Sequence, residues 1–180
     1  MSSHAPGVTY QWEKSDDGGG AWNPVSGATS ASYTTGLTTY ADDHNDQYRC
    51  VISAVGAATP ATTNAVTLTV LRTFSITSQP SNATANEGAT AQFSVTTNSS
   101  SGTVTYQWER SDDGGANYAS VGGTGQAATF TTPTLVFAND NLDRYRVVAS
   151  LVGSAADITS THGELTVLRV ISISSQPTST

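Results

Sequence analysis

The stretch Thr105-Tyr106-Gln107-Trp108-Glu109-Arg110-Ser111-Asp112-Asp113-Gly114-Gly115 occurs twice in this chain. Its earlier copy is Thr9-Tyr10-Gln11-Trp12-Glu13-Lys14-Ser15-Asp16-Asp17-Gly18-Gly19, with the two tryptophans 96 positions apart. A second matched pair follows each tryptophan: Asp46-Gln47-Tyr48-Arg49-Cys50, then Asp143-Arg144-Tyr145-Arg146-Val147, with the tyrosines 97 positions apart. A repeat of this length is one domain per period rather than one turn of a solenoid. The 180 residues have room for two such domains, each large enough for its own core.

Both stretches alternate. Val8, Tyr10 and Trp12 fall on one face, and Thr9, Gln11 and Glu13 on the other, the pattern of a half-buried strand. The Asp- and Gly-rich segment after it is a turn. In the first unit the remaining expected strands are Ala28–Thr35 with Tyr33, Tyr48–Ala54, and Ala65–Leu71, with a bend at Asp42-Asp43-His44-Asn45-Asp46. Leu37 and Tyr40 are expected as apolar anchors before that bend. In the second unit they are Thr73–Ser78, Ala89–Thr97, Val104–Arg110, Ala128–Thr131, Asp143–Leu151 and Gly163–Leu168, with a turn at Asn86-Glu87-Gly88. Short strands at this spacing, with no helical period worth naming, make an all-β sandwich or barrel.

A tryptophan strand followed by an Asp-x-Tyr-x-Cys strand resembles the immunoglobulin fold, where the tryptophan packs in the core and the tyrosine forms a corner. The resemblance implies that Trp12, Trp108, Tyr48 and Tyr145 are structural core residues. The chain departs from antibody-type domains in its disulfide: Cys50 is the one cysteine, Val147 stands at the second cysteine position, and Phe93 and Val95 occupy the strand of the first. The Gly-Ala-Thr, Tyr-Gln-Trp and Ser-Asp-Asp-Gly-Gly segments are similar to immunoglobulin-like repeats of bacterial and phage surface or tail-associated proteins. The expected organisation is therefore an incomplete domain over 1–72, beginning at the third strand, and a complete domain over 73–169. Residues 170–180 form an orphan first strand, because Val170–Pro177 repeats Thr73–Pro80.

Two readings of these ends stand side by side. In one, the chain is a piece of a longer protein. In the other, Val170, Ile171 and Ile173 belong to a donor strand that fills the open edge of the first unit of the next copy, giving a head-to-tail homopolymer. A gap in the second is that no donated strand replaces the absent central strand.

Composition narrows the function classes. A net charge of −7 with a single lysine, Lys14, argues against nucleic acid and anionic membrane partners. No apolar run is long enough to span a bilayer. The leader 1–7 has neither the basic nor the apolar region of a signal peptide. The histidines, His4, His44 and His162, sit in the leader, a bend and a turn, and no catalytic motif accompanies them. The reading is non-enzymatic, with no cofactor and no dedicated metal site. Asp16-Asp17, Asp112-Asp113 and Asp42, Asp43 and Asp46 offer oxygens to calcium, but turn and bend roles are favoured over ligation. Asn82 and Asn98 fit the N-glycosylation pattern. Trp22, with Tyr118 near the matching place, could stack on a surface glycan; packing across its own sheet is favoured. The expected role is a structural subunit of an extracellular or virion-associated fibre. The alternative is a glycan-binding or spacer module of a phage tail protein or bacterial adhesin.

Overall fold

The computed structural model describes residues 7–176. Residues 1–6 of the expected leader, including His4, and residues 177–180 of the expected donor strand lie outside the described residues. The chain is all-β and divides into two compact units between Leu71 and Arg72.

The first unit contains β1 (Val8–Ser15), β2 (Asn23–Pro24), the one-turn helix α1 (Tyr40–Asp43), β3 (Gln47–Ala54), β4 (Ala61–Thr62) and β5 (Val66–Thr67). They form one antiparallel sheet in the order β2-β1-β3-β4, with β5 also on β3. Trp12 stands opposite Cys50 in the β1–β3 ladder. The expected strand over Ala28–Thr35 does not form, and Ala65–Leu71 is reduced to Val66–Thr67.

The second unit is an immunoglobulin-like sandwich. Its strands are β6 (Phe74–Ser78), β7 (Ala83–Asn86), β8 (Gln92–Ser94), β9 (Thr96–Ser99), β10 (Val104–Ser111), β11 (Ala119–Ser120), β12 (Thr129–Thr131), β13 (Arg144–Leu151), β14 (Ile158–Thr159) and β15 (Gly163–Leu168). The one-turn helix α2 (Phe137–Asp140) precedes β13. One sheet runs β11-β10-β13-β15-β7, with β14 on β13; facing it are the pairs β12–β8 and β6–β9. The β15–β7 ladder is parallel, and the other ladders are antiparallel.

Both units correct the expectation of no helix, by a single turn each. In α1 the Thr39 hydroxyl accepts the Asp42 amide at 3.2 Å, an N-cap that the Thr-x-x-Asp spacing permits. Leu37 is not the anchor expected of it, because it is fully exposed. The expected Asn86-Glu87-Gly88 turn begins at Glu87, since Asn86 is the last residue of the paired strand Ala83–Asn86. Gly88 carries the turn's positive φ, +83°.

The core of the second unit joins both sheets. Ala91, Phe93 and Val95 from one side meet Trp108, Tyr145, Val147, Leu165 and Val167 from the other. Phe93 lies 6.4 Å from Trp108 and 4.7 Å from Tyr145, ring centre to ring centre.

Candidate assembly site

The repeated Tyr-Gln-Trp motif builds the same local frame in each unit. Gln107 Nε2 donates to the carbonyls of Trp108 (2.8 Å) and Val121 (2.9 Å), holding the incoming edge strand to β10. Gln11 Nε2 does the same with Trp12 and Val25, both at 2.9 Å. Trp108 Nε1 donates to Ala127 O at 2.8 Å, and Trp12 Nε1 to Ser30 O at 3.0 Å. With the polar tips satisfied, each indole is free to pack.

Here the units part. Trp108, Ala149, Leu165 and Val167 are buried, whereas their counterparts Trp12, Ile52, Leu68 and Val70 are only half-buried. The physical reason is the facing strand. Phe93 on β8 covers the sheet of the second unit, and the described residues of the first unit hold no strand corresponding to β8. Tyr33 partly substitutes, lying 6.1 Å from Trp12 and 5.7 Å from Tyr48 by ring centres. Tyr48 and Cys50 are buried. Trp12, expected in the core, is only half-covered, while Trp108, Tyr145 and Tyr48 are buried.

The sheet edge differs in the same way. In the second unit the outer edge of β15 is closed by β7, pairing Leu165 with Ala83 and Val167 with Ala85. The outer edge of β5 carries no strand among the described residues. Val66 and Leu71 along that stretch are 62% and 52% exposed. Unpaired backbone beside exposed apolar side chains is a template for an added strand.

The expected donor segment is present as chain but not as strand. Residues 169–176 are assigned to no strand, and Val170, Ile171 and Ile173 are 64%, 96% and 76% exposed. Its sequence twin, β6, pairs with β9.

Around this site the charged groups are locked into pairs. Lys14 Nζ lies 2.5 Å from Asp46 and 3.4 Å from Asp43; Arg110 Nε and Nη2 repeat this with Asp143 (2.5 Å) and Asp140 (3.3 Å). The hydrogen bond to Asp46 holds the Lys14 ammonium well above the usual lysine range. Burial pushes the Asp143 carboxyl up, and the Arg110 guanidinium works against that. Burial pushes the Tyr145 phenol up to about 12. His44 is likewise occupied: its Nδ1 accepts the Val70 amide at 3.2 Å, where Asn141 accepts the Val167 amide at 2.9 Å.

The acidic turns have structural work. Asp17 Oδ1 accepts from Ser15 Oγ (2.7 Å), Gly20 N (2.8 Å) and Ala21 N (2.9 Å). Asp113 accepts from Ser111 Oγ (2.7 Å), Asn117 N (2.9 Å) and Asn117 Nδ2 (2.7 Å). Among the described residues no three His, Cys, Asp or Glu side chains converge as a metal site. No helix there is long and apolar enough to cross a membrane.

Trp22 packs on its own sheet, its Nε1 donating to Gly19 O at 3.1 Å and its ring covered by Arg49 at 4.1 Å. Tyr118 and Arg146 form the same stack at 3.7 Å. Arg49 and Arg146 are themselves held by Glu13 (2.8 Å) and Glu109 (2.7 Å). Asn82 and Asn98 are exposed, with their Oδ1 atoms accepting from Glu164 N at 2.9 Å and Ser75 Oγ at 2.6 Å. Sequence reasoning missed a groove of 610 Å³ in the second unit, floored by Phe130 and Tyr145 and walled by Val121, Pro133 and Leu135. Its lining runs through Phe130–Leu135, and only the fold brings Arg110, Val121 and Tyr145 beside that run.

A family described as "Domain of unknown function (DUF8696)" matches residues 1–72, one residue beyond the end of the first unit. No curated protein matches the chain. Similar solved structures include Sidekick-1 immunoglobulin domains 1–5, at 17% identity over 91% of this chain and 33% of that one, with a TM-score of 0.45. The amphioxus IgVJ-C2 molecule is 14% identical over 92% of each chain, with a TM-score of 0.45. The N-terminal Ig1-2 module of the Drosophila receptor protein tyrosine phosphatase DLAR is 17% identical over 89% of this chain and 84% of that one, TM-score 0.39.

Proposed function

We propose that this chain is a structural subunit of an extracellular or virion-associated fibre. Copies assemble head-to-tail when the segment from Val170 of one molecule completes the open sheet of the first unit of the next. The observation that carries this reading is the difference between matched residues: Trp108 is wholly buried, and Trp12 is not. An apolar sheet face without a facing layer gains stability by acquiring one, at roughly 25 cal/mol per Å² covered. Donor and acceptor lie at different places on the molecule, so the contact is heterologous and propagates rather than closes. The resemblance to bacterial and phage surface repeats supports an exterior location, and the role needs no catalytic group.

Sedimentation velocity tests this reading. The intact chain should sediment as a concentration-dependent series of oligomers. The double variant Ile171→Asp, Ile173→Asp should sediment as a monomer with unchanged circular dichroism. Equal sedimentation of the two proteins would remove the proposal.

A further inference from the structure

We infer that His44 is an acid-sensitive latch on the last residues of the first unit, closed while its imidazole is neutral and opened by protonation.

The two units anchor their final segments through matched corners. In the second unit the corner before β13 makes three bonds to β15. Leu142 N donates to Leu165 O (2.8 Å), Leu165 N to Asp143 O (2.9 Å), and Val167 N to Asn141 Oδ1 (2.9 Å). In the first unit the corner before β3 repeats them on the segment after β5. Asn45 N donates to Leu68 O (3.0 Å), Leu68 N to Asp46 O (2.7 Å), and Val70 N to His44 Nδ1 (3.2 Å). Asn45 and Leu142 shape the two corners alike, each with φ of +72°. Two of the three bonds join main chain to main chain. The third runs through a side chain, and there the units differ: a carboxamide in one, an imidazole in the other. In the second unit this bond coexists with the β15–β7 ladder on the segment's other side. The latch is therefore independent of what pairs with the segment's outer edge.

The two acceptors respond differently to acid. A carboxamide oxygen accepts at any ordinary pH, whereas neutral imidazole has one accepting nitrogen and imidazolium has none. The Nδ1 that accepts from Val70 is the atom that takes the proton. Protonation thus sets a donor against the Val70 N–H, also a donor, and the bond is lost. Histidine is the side chain whose charge changes between about pH 5 and 8.

The surroundings favour a cation that has left Val70. Asp42 and Asp43 stand on α1 and Asp46 just after the corner, with Lys14 of β1 at 3.4 Å from Asp43 and 2.5 Å from Asp46. Three carboxylates against one ammonium leave this corner negative. Tyr40 stacks on the imidazole, ring centres 4.4 Å apart, and the buried Tyr48 of β3 has its phenol pushed up by burial, so both stay neutral in acid. The Leu68–Leu71 segment brings no charged group. Opening the latch frees the residues directly before the boundary between the units at Leu71 and Arg72. The Asn141 bond of the second unit stays closed.

Hydrogen exchange of the intact chain, read by mass spectrometry, tests the latch. After correction for the intrinsic pH dependence of exchange, protection of the Leu68–Leu71 segment should fall several-fold from about pH 8 to about pH 5. The Leu165–Leu168 segment should keep its protection. His44→Asn, which copies the second unit, should abolish the fall. Equal protection of Leu68–Leu71 at the two pH values in the unaltered chain overturns the inference, and so does a fall that persists in His44→Asn. An equal loss across β1 and β3 of the unaltered chain also overturns it, because the whole unit would then be opening.

Discussion

The Phe93 ring stacks on the Tyr145 ring, with centroids 4.7 Å apart and planes inclined by 23°. This contact joins the two sheets of the second unit two residues before Val147, which stands at the second cysteine position of an antibody-type domain. Phe93→Ala should cost roughly 3–5 kcal/mol through loss of buried area and the cavity left behind. Urea unfolding of the second unit, followed by fluorescence of the buried Trp108, measures it. A cost below about 1 kcal/mol would mean that the core closes without this ring.

Removing matched tryptophans tests the contrast between the units. Trp108→Ala should cost roughly 3–5 kcal/mol, as for a fully buried aromatic. Trp12→Ala in the monomeric Ile171→Asp, Ile173→Asp background should cost less than half as much, since its counterpart cover is absent. Equal costs for the two would contradict the half-covered face.

The Tyr145 phenol gives the second unit an alkaline limit. Burial raises its folded pKa to about 12 from the ordinary tyrosine value near 10. Below pH 10 both folded and unfolded chains keep the proton, so the group contributes no pH dependence. Between pH 10 and 12 the unfolded chain loses its proton first and stability falls, by roughly 2–3 kcal/mol in all. Tyr145→Phe should remove that part of the decline. Unfolding curves collected at intervals from pH 9 to 12 give the comparison, and parallel declines in both proteins would contradict it.

Much of the fold was legible where pattern is local. The strands carrying Trp12, Trp108, Tyr48 and Tyr145 alternate along their whole length, and their ladders are the longest in the molecule. Ala83–Asn86 was not legible. Its four residues are small or polar, and their strand character comes from a parallel ladder with Leu165–Leu168, far along the chain. The segment Ala28–Thr35 has strand-forming residues but no described counterpart of β8 to pair with, so it remains irregular. The charged frame was hidden too: Lys14 and Arg110 meet their aspartates only once β1 and β10 lie beside the corners before β3 and β13.

The Arg110–Asp143 pair sets a further test. Asp143 is almost wholly buried, and Arg110 Nε lies 2.5 Å from it. Arg110→Ala leaves a buried carboxyl without its partner, which should cost roughly 2–4 kcal/mol, the lower part of the range reflecting the partly exposed arginine. The double variant Arg110→Met, Asp143→Leu should recover much of that loss. A double variant no more stable than Arg110→Ala would show that the carboxyl has another role.

The acid turn behaves oppositely to Tyr145. The Asn117 amide and the Ser111 hydroxyl hold the Asp113 carboxyl well below the usual carboxylate range. Its contribution to stability is present above the unfolded carboxylate pKa and is lost as pH falls through the lower, folded one. An NMR titration should show Asp113 still ionised at a pH where an ordinary carboxylate has gained its proton. Protonation of Asp113 in the ordinary carboxylate range would contradict the turn geometry.

The central claim concerns the first unit's open sheet and the segment that completes it, and electron microscopy tests it most directly. The intact chain is imaged beside a chain ending at Arg169, at equal concentration. Filaments from the intact chain alone are the predicted result. Monomers from both would contradict the account, and so would filaments from both.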